Sequence, residues 1–69
     1  MIYQIKNIDR DDMCLIETTA AEEVISDAWN FIWWNNLETE EDELIDMLVE
    51  ELQKSYPESE RVFVTEITP

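Results

Sequence analysis

The sequence predicts an α+β fold of order β-β-α-α-β: a three-stranded antiparallel sheet, order 1-2-3, with a helical hairpin packed on one face. Three observations carry that expectation. Short β-compatible runs open and close the chain. Two stretches between them repeat their apolar residues at about 100° per residue. The 69 residues suit one domain, 1–69.

Residues 2–8 are mostly β-compatible, with Tyr3 and Ile5 on one face, and 13–18 read as a second strand. The polar turn Asp9-Arg10-Asp11-Asp12 joins them as a hairpin, although it lacks an Asn-Gly or Asp-Gly pair. Thr19-Ala20-Ala21-Glu22 has capping-box spacing, so helix 1 is expected to start there and run to about Asn36. Its expected core stripe is Ala21, Val24, Ile25, Ala28, Phe31 and Ile32. Thr39 is a second start signal, followed by acidic residues at 40–43 that suit the positive end of a helix dipole. Helix 2 covers about 40–55 and should bury Leu44, Ile45, Leu48, Val49 and Leu52. A loop at 55–60 leads to a third strand over 61–67, in which Phe63 reads as core. Two amphipathic helices returning to a small sheet must share one of its faces. Strand 3 then runs antiparallel to strand 2; order 3-1-2 would need a parallel pair and ranks second.

Charge is the dominant chemical feature. Eighteen Asp and Glu face four Lys and Arg, a net charge of −14. A small domain usually carries a net charge of magnitude about 2–8, and excess like charge works against the compact state. Solubility is the simple explanation for the excess; a basic partner is the sharper one. Nucleic acid and anionic membrane surfaces would both repel the chain. Hydrophobic residues make up 45% of it, enough to fold, but a chain this short buries only roughly 60% of its unfolded surface.

Catalysis is not expected. Histidine is absent, which removes the commonest general base and metal ligand. Glycine is absent, which removes phosphate-cradling loops. The lone Cys14 has no histidine to activate it, cannot form an intramolecular disulfide, and reads as a small buried hydrophobe. No cofactor or metal is expected: Asp9 to Asp12 begins like a calcium loop, but loop position 6 is not glycine and position 12 falls on Ala20. The start has no signal-peptide pattern, and no apolar run reaches the ~20 residues of a membrane span.

Two features suggest a protein-binding surface. On helix 2, Asp42, Glu43, Asp46 and Glu50 lie opposite the apolar stripe and Glu40 flanks it, with only Lys54 as compensation, four residues after Glu50. Such carboxylates repeat about every 5–6 Å along the axis, broadly the scale of a phosphate backbone. The second feature is Trp29-Asn30-Phe31-Ile32-Trp33-Trp34. Trp33 and Trp34 fall outside the expected stripe. They either wrap the end of the core or serve as exposed anchors ringed by Asn30, Asn35 and Asn36. The expected partner-binding residues are therefore Glu40, Asp42, Glu43, Asp46, Glu50, Trp33 and Trp34.

In its small size, lack of histidine, acidity and β-β-α-α-β order, with the acidic run Glu38 to Glu43, the chain resembles phage-encoded inhibitors, including anti-CRISPR proteins and other DNA mimics. The resemblance implies a partner class: a basic nucleic-acid-binding protein or nuclease complex, blocked by occupation of its nucleic-acid or effector surface, in the cytoplasm of a bacterial host cell. The expected function is non-enzymatic inhibition by electrostatic occupation. The alternative is a structural or regulatory module that forms a homodimer or completes an assembly through its Trp-rich face or the edge of strand 3.

Overall fold

A computed structural model describes residues 1–6 and 13–62. The elements are β1 (Ile2–Lys6), β2 (Met13–Glu17), α1 (Glu22–Asn35), α2 (Glu41–Gln53) and β3 (Glu60–Val62). The sheet has the order β1-β2-β3 and both pairs are antiparallel, as expected. The turn at 9–12 with its calcium-loop reading, the end of strand 1 at 7–8, and strand 3 beyond Val62, including Phe63, lie outside the described residues.

Register decides which side chains face the helices. Tyr3 pairs with Ile16, Ile5 with Cys14, and Ile16 with Arg61. Side chains alternate along a strand, so Tyr3, Ile5, Cys14, Ile16 and Arg61 share one face. Ile5 and Ile16 are buried in the same cluster as Ile25 and Ile32 of α1 and Leu44, Ile45, Leu48 and Leu52 of α2. Tyr3 Oη lies 2.7 Å from Ser26 Oγ, tying β1 to α1. The α2 stripe matches expectation, with Val49 partly buried at its margin.

The α1 stripe is rotated from expectation. Ala21 is an exposed N-cap, Val24 is exposed, and Phe31 is 70% exposed. Ile25 and Ile32 are buried, with Ala28, Trp29 and Trp33 packed on the core. The Trp29 and Trp33 rings sit 5.9 Å apart at a 41° tilt, an offset geometry that aromatic pairs favour. Two indoles at i and i+4 offer more apolar area than Val24 and Phe31, so turning them inward removes more surface from water.

The expected threonine caps are not used. Ala21 caps α1 and Glu40 caps α2, neither through its side chain. The Thr19 hydroxyl instead donates to Glu58 Oε1. Thr18 and Ser59, both buried, hydrogen-bond at 2.6 Å, and Thr18 Oγ1 accepts the Ala20 N–H at 3.1 Å. Gln53 Nε2 donates to the Ser59 carbonyl at 2.7 Å. These bonds join the entry to α1 with the exit from α2. No described residue has positive φ and no described peptide bond is cis.

Candidate functional site

The acidic surface of α2 is divided by one cation. Arg61 Nη2 donates to Asp42 Oδ1 at 2.8 Å, and Arg61 Nη1 lies 3.5 Å from Asp46 Oδ1. The Arg61 side chain is only 17% exposed, whereas both carboxylates remain largely in solvent. Burial alone would favour the neutral guanidine. The hydrogen bond and charge of Asp42, assisted by Cys14 and Asp46, outweigh it and raise the Arg61 pKa. Arg61 Nη2 also lies 3.9 Å from Cys14 Sγ. Burial pushes the Cys14 thiol pKa up, and the opposing charge of Arg61 only partly offsets that.

Asp42 and Asp46 thus hold β3 against α2 as well as facing solvent. Spacing along the sequence does not link Arg61 to α2. The available signal was that it is one of four basic residues in the chain. Lys54 pairs with Glu51 at 3.0 Å, one turn back, and not with Glu50 as the i,i+4 spacing suggested. Both partners are exposed, so the pair contributes little. Glu40, Glu43 and Glu50 are exposed.

Between α1 and α2 lies an open groove of about 700 Å³. Phe31, Ile32 and Ala28 of α1 and Met47 of α2 supply its apolar surface, and Glu50 and Glu51 stand on the α2 side. Neither Phe31 nor Met47 was among the expected site residues. Phe31 falls on the core stripe that the helical wheel predicts, and its exposure follows from the inward turn of the tryptophans. At the turn between the helices, Trp34 is 69% exposed and borders a shallow hollow with Leu37, Glu38 and Thr39. Trp33 is half-buried against the core beside Trp29. The structure therefore separates the two expected aromatic anchors, leaving Trp34 as the accessible one. Asn35 and Asn36 do not simply ring them: their amides donate to the Phe31 carbonyl at 2.7 Å and the Ile32 carbonyl at 2.9 Å. Ile32 lies in the last turn of α1, where intrahelical partners run out: the Asn36 N–H goes to the Trp33 carbonyl at 3.2 Å.

Among the described residues, no three His, Cys, Asp or Glu side chains converge as a metal-binding set. Among the described residues, no helix is long and apolar enough to cross a membrane. No known family model, curated protein sequence or solved structure matches the chain.

Proposed function

We propose that this chain is a non-enzymatic inhibitor that occupies a basic, nucleic-acid-binding surface of a partner protein, in the manner of the acidic phage-encoded DNA mimics it resembles. The carrying observation is the exposed carboxylate surface of α2 in a chain of net charge −14. Glu40, Glu43 and Glu50 offer their charge outward, and Asp42 and Asp46 remain 76% and 69% exposed while binding Arg61. Lys and Arg of the partner would meet these groups in place of phosphates, with long-range attraction speeding encounter. Trp34 would add an apolar contact beside the acidic face. Such inhibition belongs in the cytoplasm of a bacterial cell, where nuclease complexes and other nucleic-acid-binding proteins act.

The test is affinity capture from the source cell on the immobilised chain, followed by displacement of a labelled DNA duplex or RNA from the captured protein. The expected result is a basic partner that elutes as salt rises and releases its nucleic acid when the chain is added. Recovery of only neutral or acidic partners would sink the proposal.

The exposure of Trp34 and Leu37 favours one second reading, an interaction module that associates through this apolar end. It differs in a simple way: it should survive Asp46→Asn combined with Glu50→Gln, whereas electrostatic occupation should weaken.

A further inference from the structure

The groove between α1 and α2 differs in kind from the acidic face. Its exposed apolar groups are large: Phe31 at 70% and Met47 at 37%. They face each other across two helices, with Ile32 and Ala28 beside them. Glu50, Glu51 and Lys54 line the α2 side; Lys54 and Glu51 pair at 3.0 Å and offset each other, so the charge the groove presents to an occupant is that of Glu50. An occupant that covers Phe31 and Met47 therefore brings apolar side chains close to the Glu50 carboxylate. Its own charge decides whether that approach is favourable.

A second copy of the chain would bring another −14 of charge, so like charges would oppose the contact. A neutral or acidic segment would leave Glu50 without a cation in a partly covered site, which is unfavourable. A cationic segment satisfies both surfaces. The groove is lined from Ala28 to Asn36 on the α1 side and from Met47 to Lys54 on the α2 side, roughly 10–12 Å at the usual rise. That length accommodates about two turns of a third helix, enough for apolar anchors at i, i+4 and i+7.

We infer that the α1–α2 groove receives a basic amphipathic helix, its apolar stripe covering Phe31 and Met47 and its Lys or Arg residues meeting Glu50. The inference rests on the reading of the partner as a basic protein, and it names the secondary structure by which that partner is held.

The test uses the full chain and fluorescein-labelled peptides of about 16 residues, read by anisotropy at about 50 and 300 mM salt. One peptide is a Leu/Lys helix with leucines on one face, the second is a scramble of the same composition, and the third is oligolysine. The amphipathic peptide is expected to bind about tenfold tighter than the scramble. Phe31→Ser with Met47→Ser should remove about tenfold of that affinity, and Glu50→Gln about threefold with a shallower salt dependence. Both apolar positions are exposed, and far-UV circular dichroism with a melting curve checks that the variants fold. Equal binding of amphipathic and scrambled peptides, or of wild type and the double serine variant, overturns the groove.

The two readings fail differently. Salt-steep binding of every cationic peptide, blind to Phe31, removes the groove and leaves the acidic surface standing. Binding that needs Phe31 but ignores salt and Glu50 removes the basic partner and, with it, the reading beneath. A wild-type dimer in sedimentation equilibrium that dissociates on Phe31→Ser assigns the groove to a second copy and overturns the proposal.

Discussion

Arg61 on β3 donates through Nη2 to Asp42 on α2 at 2.8 Å, bridging the last described strand to the helix that covers it. The arginine is mostly shielded and the aspartate mostly hydrated, so the two are not equivalent to remove. Arg61→Leu deletes both carboxylate contacts and the sulfur contact together. It should cost about 1–2 kcal/mol in urea unfolding. Asp42→Asn keeps a side-chain oxygen acceptor and leaves Asp46 in place, and should cost about 0.5 kcal/mol. Equal losses would mean that Asp42 carries the whole contact.

Glu17 stands directly across from Glu60 in the β2–β3 register. Like charges in opposed positions destabilise a sheet. Glu60→Lys should therefore raise stability by about 0.5 kcal/mol, read as a higher melting temperature at low salt. The gain should shrink as salt rises, because screening removes the repulsion it relieves.

The Thr18 hydroxyl serves two buried partners, Ser59 Oγ at 2.6 Å and the Ala20 N–H at 3.1 Å. Thr18→Val preserves shape but strands both. The expected loss is about 2 kcal/mol, measured by denaturant titration. Thr18→Ser, which keeps the hydroxyl, should recover most of it.

The tryptophans should separate in one experiment. Trp29 packs on the core and on Trp33, so Trp29→Ala should cost about 2–3 kcal/mol. Trp34 is mostly in solvent, and Trp34→Ala should change stability by less than about 0.5 kcal/mol. Acrylamide should quench a smaller share of the fluorescence in Trp34→Ala than in the wild type.

Cys14 gives the fold an alkaline limit. Burial raises its pKa above the ordinary thiol value of 9.0, so the folded state favours the neutral thiol more than the unfolded state does. A pKa raised by folding adds stability that is fully present below the unfolded value and lost as pH rises through the folded one. The stability advantage of the wild type over Cys14→Ala should hold constant through neutral pH and narrow above about pH 9. Urea midpoints at pH 7 and pH 10 measure it, and an advantage that widens at pH 10 contradicts it.

Element order and sheet order were legible because they rest on local periodicity and on the directions that short connections allow. The α1 face was not. A helical wheel counts positions, whereas burial weighs area, and Trp29 with Trp33 outweighs Val24 with Phe31. The threonine caps misled for a related reason. Thr19 spends its hydroxyl on Glu58, 39 residues away, and spacing carries no sign of such a partner. The acidity of residues 38–51 was plain in the composition. Its division by Arg61 was not, since the cation lies 19 and 15 residues beyond Asp42 and Asp46 and meets them only once β3 docks.

The chain contains no glycine, and none of its described residues adopts a left-handed backbone conformation. At every described position, then, the main chain accepts any L-amino acid except where proline would intrude. Constraint on substitution falls on buried side chains such as Ile16, Leu48 and Thr18 and hardly at all on backbone geometry. A scaffold of that kind can change its outer residues quickly while keeping its shape. The acidic and aromatic groups of α1 and α2 are therefore open to rapid diversification, by natural drift or in a combinatorial library, as a partner's surface changes.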